Sequence, residues 1–207
     1  MKILDLYCGG GGAGAGYLAG GFTELVGVDK NDFRKKYPGK FIWNEIQNIS
    51  IDFIRQFDFV HASPPCQLFS VTSSLTESIN YNYIPYTRDL LNKSKIPYVL
   101  ENVPQAPLRK DLILCGSHFD LYLRPNEGLL RHRIFEFSDI DLIPIQPKCN
   151  HYYYSISIFG DSDNQGLYSQ NERRNVMRIP WLGGGTLAEA IPPAYTCYIA
   201  EYIVKKL

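Results

Sequence analysis

A thiol, a carboxylate and two guanidinium groups stand where they could meet over one substrate ring. Cys66 lies in Ser63-Pro64-Pro65-Cys66-Gln67, directly after the apolar run Phe57-Asp58-Phe59-Val60-His61-Ala62. Proline fixes φ near about −65°, so this loop has little freedom, and it presents the sulfur at the carboxyl edge of a strand, where open α/β sheets hold their ligands. A thiolate adds to an electron-poor ring carbon, and a nearby cation raises its thiolate fraction. A carboxyl such as Glu101 can hold a ring nitrogen and share its proton as charge builds in the ring, while a guanidinium such as Arg133 can hold an exocyclic oxygen. Each residue alone has a blander reading. Cys66 reads as a small buried hydrophobe, Glu101 as an exposed strand-end acid, and Arg131 and Arg133 as phosphate or surface contacts; jointly those readings are poor.

The elements needed to bring these groups together are legible as a pattern. Residues 2–7 form an apolar run ending in Cys8-Gly9-Gly10-Gly11-Gly12, followed by a segment that can start a helix. Strand, glycine-rich turn and helix are expected in that order. Glu24-Leu25-Val26-Gly27-Val28 predicts a second strand with Asp29 at its tip, Phe41-Ile42-Trp43 a third, residues 57–62 a fourth and Tyr98-Val99-Leu100 a fifth ending at Glu101. Helical segments between them, such as residues 86–92, imply right-handed crossovers and a mostly parallel sheet with helices on both faces. Arg131-His132-Arg133-Ile134-Phe135-Glu136-Phe137 alternates as a half-buried strand would, a less regular stretch runs to about residue 185, and residues 192–207 suit a closing helix started by proline.

The glycines can be threaded as a dinucleotide fingerprint, Gly9-x-Gly11-x-x-Gly14, but a run this rich in glycine matches cheaply. Side-chain-free backbone still lets a ligand approach the first strand-to-helix turn, and Asp29 is placed to accept from ribose hydroxyls, so a nucleoside-bearing cofactor is expected.

With 207 residues, 45% hydrophobic and 20% charged, the chain fits one domain, residues 1–207, with residues 138–187 as a short irregular segment. No apolar run reaches the roughly 18 residues of a membrane span, and the start does not read as a signal peptide, which points to a (host-cell) cytoplasm. Lys plus Arg equals Asp plus Glu at 21 each, so nucleic-acid binding would need a local basic patch. The five cysteines are odd in number and form no Cys-x-x-Cys pair, so neither disulfides nor a metal is expected; Cys149-Asn150-His151 offers two ligands without a second pair.

Taken together, Asp5-Leu6-Tyr7-Cys8-Gly9-Gly10-Gly11-Gly12, Pro65-Cys66-Gln67, Glu101-Asn102-Val103, Arg131-His132-Arg133 and Ala190-Ile191-Pro192-Pro193 resemble, in order, motifs of the DNA (cytosine-5) methyltransferases, in particular their short bacteriophage forms. The resemblance implies a Rossmann-like fold dependent on S-adenosylmethionine, with the cofactor held by Asp5, Tyr7, Cys8, Gly9, Gly11, Gly12, Asp29, Lys30, Glu45, Ile46, Pro65 and Ala190. It implies a flipped-out cytosine, attacked at C6 by Cys66, with Glu101 on the ring nitrogen and Arg133, helped by Arg131, on the ring oxygen. The implied partner is DNA, duplex first, without metal or membrane.

Leu129 and Glu189 depart from the family pattern, in which many members have Gln at the first position and the closing motif often has Asn at the second. The segment 138–187 leaves little room for a target-recognition domain, so a very short target, a protein partner or an unusual substrate would follow. Tyr152-Tyr153-Tyr154 reads first as a strand start and Arg173-Arg174 as a solvated loop, and second as stacking and phosphate contacts. Methylation of RNA or a free nucleotide, a non-catalytic nucleic-acid-binding homologue, and a nicotinamide-dependent oxidoreductase are the competing readings.

Overall fold

The computed structural model describes residues 1–65, 82–151, 154–158 and 167–207. Its centre is a seven-stranded sheet in the order β3-β2-β1-β4-β5-β9-β6. The strands are β1 (Lys2–Leu6), β2 (Glu24–Asp29), β3 (Lys40–Trp43), β4 (Phe59–Ala62), β5 (Tyr98–Asn102), β6 (Leu112–Leu114) and β9 (Arg133–Phe137). The first five in spatial order run parallel, and β9 is antiparallel to both β5 and β6. The strand order reverses between β1 and β4, the kind of switch point at which open α/β sheets bind ligands. A second small sheet pairs β7 (Tyr122–Arg124), β8 (Glu127–Gly128) and β10 (Tyr154–Ser155).

Strand alternation sends two apolar sets to opposite faces. Ile3, Phe59 and Val99 join Tyr17, Tyr195 and Ile199 from α1 (Gly12–Ala19) and α6 (Pro193–Ile203), whereas Leu4, Leu6, Val60 and Leu100 join Ile54 and Leu91 from α2 (Ile51–Ile54) and α3 (Tyr83–Ser94). Truncating a fully buried side chain of the size of Phe59 costs about 3–5 kcal/mol. Close packing of α1 on α6 needs Gly16, where an added Cβ would come within 2.1 Å of the Pro193 carbonyl oxygen.

The β-rich half departs from the sequence pattern in one respect. Every residue of β9 is buried, although its alternation suggests a half-exposed strand. The strand lies inside the sheet, so its polar members must find charged partners: Glu136 takes two hydrogen bonds from Arg88, at 2.8 and 2.9 Å, and Arg133 pairs with Glu101. Nor is residues 138–187 irregular throughout. It contains α4 (Gln170–Met177) and the start of α5 (Gly184–Glu189). Ser169 and Glu172 cap α4 reciprocally, so Arg173 and Arg174 belong to a helix rather than a loop. Tyr154 begins β10, while Tyr152 and Tyr153 lie outside the described residues. Among the described residues no helix is long and apolar enough to cross a membrane.

Candidate functional site

Register sets the geometry of the site. Val28, Leu6, Ala62 and Leu100 are aligned across β2, β1, β4 and β5. One residue further on, the carboxyl ends of these four strands deliver Asp29, Tyr7, Ser63 and Glu101 to one edge. All four line a cleft of about 440 Å³, within the roughly 300–1,000 Å³ of small-molecule sites.

On the β1–β2 side the chain turns sharply. Tyr7, at φ 58°, and Gly11, at φ 86°, are left-handed; the first is an unusual conformation for a residue with a side chain, and the Tyr7 hydroxyl is held 2.9 Å from Thr87 Oγ1. The turn brings the Gly9 N–H to Asp29 Oδ2 at 2.9 Å, and Asn31 N–H donates to Oδ1 at 2.9 Å. An added Cβ at Gly9 would meet nothing within 4 Å, so that backbone faces open cleft. Beneath it, Asp5 is fully buried, its Oδ2 accepts from the Tyr37 hydroxyl at 3.0 Å, and its Oδ1 has no hydrogen-bond partner among the described residues. Burial pushes the Asp5 carboxyl up to about 8, against the Tyr37 bond. Burial also raises Glu189, with the Asp29 charge adding to the effect.

On the β4–β5 side, Arg133 Nε lies 3.0 Å from Glu101 Oε1, and both side chains are nearly inaccessible. Burial lifts Glu101 above the usual carboxylate range, while Arg133, the Ser63 hydroxyl and Arg131 pull it back. Ser63 therefore donates to Glu101 and must accept from His61 Nε2, 2.8 Å away. That leaves His61 Nδ1 to accept from the Tyr17 hydroxyl at 3.0 Å. Burial holds His61 neutral, down to about 3. The chain Tyr17–His61–Ser63 thus points its donors at Glu101, whose Oε1 still lacks a hydrogen bond among the described residues. Nothing in the spacing of these residues announced it.

Of the residues expected at the site, Asp5, Tyr7, Cys8, Gly9, Gly12, Asp29, Lys30, Glu45, Ile46, Pro65, Ala190, Glu101 and Arg133 all line the cleft. Gly11 does not; it caps α1, and an added Cβ there would strike Pro38. Arg131 is buried away from the cleft and donates to the Ala188 carbonyl, bracing the segment that carries Ala190. Cys66 and Gln67 lie outside the described residues; Pro65, just before them, lines the cleft, and Asn102 Nδ2 holds the Pro64 carbonyl at 2.8 Å. Of the two departures, Leu129 is a core residue and Glu189 lines the cleft. Sequence reasoning missed Trp181, whose Nε1 donates to the Gly10 carbonyl at 2.9 Å and pins the C-terminal region over the glycine turn.

Residues 1–110 match the family of C-5 cytosine-specific DNA methylases. The chain belongs to this family. The matched stretch includes Cys66 and Glu101, while Arg131, Arg133 and Ala190 lie beyond it. Over 119 residues, 50% of the chain, it is 29% identical to the type II methyltransferase M.AgeI of Thalassovita gelatinovora, 28% of which is covered. Over 115 residues, again 50% of the chain, it is 31% identical to the type II methyltransferase M.FnuDI of Fusobacterium nucleatum, 32% of which is covered. The matched segment thus spans about a third of the length of these curated relatives. In fold the chain is similar to the crystal structure of a prophage-encoded candidate DNA modification methyltransferase of E. coli, with a TM-score of 0.64 at 13% identity over 99% of both chains.

Proposed function

We propose that this chain transfers a methyl group from S-adenosylmethionine to C5 of cytosine in DNA, through a transient bond between Cys66 and C6 of a flipped-out base. The observation that carries the reading is the Glu101–Arg133 pair, buried in the same cleft as the glycine turn and Asp29.

The residues present suit S-adenosylmethionine. Among the described residues, the cleft combines the carboxyl groups of Asp29 and Glu45 with apolar Ile46 and Ile191 and the bare glycine backbone, a lining that offers acceptors for ribose hydroxyls and an apolar bed for an adenine ring. Asp29 would accept from the ribose hydroxyls, with Tyr7, Lys30, Glu45, Ile46 and Ala190 around it. The orphaned Asp5 Oδ1 and the bare Gly9 backbone offer further polar contacts. When bound, the cofactor supplies an electrophilic methyl group on a sulfonium.

Glu101 and Arg133 act on the cytosine. A carboxyl raised above its usual range by burial shares a proton with the ring nitrogen more readily than a solvated one, which makes C6 more electrophilic toward the Cys66 thiolate. The Ser63–His61–Tyr17 chain fixes the orientation of that carboxyl, and Arg133 holds it while offering its remaining N–H groups to the ring oxygen. Once C5 carries the methyl group, its proton passes to a water molecule acting as base, the Cys66 thiolate leaves C6 and the ring nitrogen returns its proton to Glu101, which restores the aromatic ring and frees the enzyme.

Incubation with tritium-labelled cofactor and a panel of duplex DNA, single-stranded DNA and RNA tests the reading, together with trapping on 5-fluorocytosine DNA. Label is expected on duplex cytosine and a covalent adduct on wild-type protein. Labelling of RNA alone, or no adduct despite turnover, would sink it.

A further inference from the structure

We infer that Cys115, His132, Cys149 and His151 form a structural zinc site that fastens the segment after β9 to the edge of the sheet. The inference is independent of the methyl-transfer reading, and it corrects the expectation that Cys149 and His151 lack a second pair of ligands.

One donor atom from each of the four residues lies within 4.8 Å of all the others. Bond lengths of about 2.3 Å for Zn–S and 2.0–2.1 Å for Zn–N in a tetrahedron require S···N edges of about 3.6 Å. Cys115 Sγ lies 3.5 Å from His151 Nε2, and Cys149 Sγ lies 3.6 Å from His132 Nε2. Two thiolates and two imidazoles select zinc over the hard cations, and four protein ligands close the tetrahedron, which marks a structural rather than a catalytic centre.

The surroundings are those of an outer ligand shell. Ser117 Oγ donates to Cys115 Sγ at 3.3 Å and accepts from the Asn150 N–H at 3.2 Å. His118 Nδ1 accepts from the Cys115 N–H, which leaves Nε2–H to donate to Cys149 Sγ at 3.1 Å. His132 is hydrogen-bonded to the Leu130 carbonyl, the kind of contact that orients a ligating imidazole. Cys115 is buried, whereas Cys149 and His151 are exposed, so an ion can enter from solvent.

The four ligands come from three places: the end of β6, the start of β9, and residues 149–151. Gln146 already imitates a strand there, with its side chain exchanging two 2.7 Å hydrogen bonds with the Ile113 backbone. A metal would hold this segment against the sheet and keep His132, between Arg131 and Arg133, in place. Binding releases one proton from each thiol.

Metal analysis of tag-free protein, purified and dialysed under reducing conditions with zinc, tests the inference. About one zinc per chain is expected, and Co²⁺ exchange should give the visible bands of a tetrahedral site with a thiolate-to-cobalt charge-transfer band. Cys149→Ser and His151→Ala, both at exposed positions, should each weaken zinc binding by more than about 100-fold, beyond the roughly 10–100-fold that loss of an outer-shell contact costs. Cys197→Ser, outside the cluster, should keep full occupancy. Chelation should lower the Tm of the wild type and of Cys197→Ser but not of the two ligand variants. Protein that takes up no zinc under these conditions, or wild-type affinity in both ligand variants, would overturn the inference.

Discussion

The two halves of the sheet end handle buried charge in opposite ways. On the β1–β2 side, carboxylates meet backbone N–H groups and a tyrosine hydroxyl, as Asp29 and Asp5 do. On the β4–β5 side, Glu101 meets a guanidinium at 3.0 Å and an oriented serine. The first arrangement leaves acceptor oxygens at the cleft and suits the hydroxyls of a nucleoside-bearing cofactor. The second sets a buried carboxyl, raised above its usual range by burial, against a guanidinium, which suits acid–base work on a ring. Binding and chemistry should therefore separate by strand.

The strongest test is on the chemistry side. Cys66→Ser should lower methyl transfer by about 10⁴-fold or more, the scale seen when a nucleophile is removed, while S-adenosylmethionine still binds in calorimetry. A serine variant that turns over normally would end the proposed mechanism. Glu101→Gln should reduce kcat by about 10²–10⁴-fold with the cofactor Kd nearly unchanged; an equal effect on Kd would erase the division between the halves. Conversely, Asp29→Asn should weaken the cofactor by about 1.5–3 kcal/mol, the usual worth of a hydrogen bond to a charged group, and spare kcat at saturating cofactor.

The smallest effect is on stability against pH, and its sign follows from the two buried groups. His61 titrates at about 3 in the folded protein against about 6.5 unfolded. The unfolded chain binds the extra proton in that window, so this contribution is lost as pH falls from 6.5 toward 3. Asp5 titrates at about 8 folded against about 3.9 unfolded. Here the folded chain holds the extra proton, so stability is lost as pH rises from about 4 to 8. The two oppose each other up to about pH 6.5 and Asp5 acts alone above it. Urea unfolding at pH 6.5 and 8.5 should show a loss of about 1–2 kcal/mol that Asp5→Asn removes. A loss of the same size in the variant would assign it to other groups.

Much of the parallel half was readable because local signals agreed there. Apolar runs, a glycine turn and a polar residue after each run place Asp29 and Glu101 at strand ends without knowledge of strand order. Helix α3 was also expected, though it extends from Tyr83 to Ser94 rather than over 86–92. The signal failed where a tertiary partner changes what alternation means. Strand β9 carries Arg133 and Glu136 in a half-exposed pattern, yet it is covered on both faces, and ion pairs replace the expected solvent. Arg173 and Arg174 looked like loop because α4 is polar and depends on its capping box, not on an apolar stripe.

By itself the sequence determined the order of strands and turns and the kinds of groups at their tips, since hydrophobic period and turn chemistry act over a few neighbouring residues. Tertiary structure alone decided which tips share a cleft, that Arg131 braces the Ala188 carbonyl while Arg133 faces Glu101, and that His61 and Ser63 stand behind that carboxyl. It alone gathered Cys115, His132, Cys149 and His151 into one cluster. Such groupings depend on crossovers, on sheet register and on where an irregular segment comes to rest, and no short-range spacing encodes them.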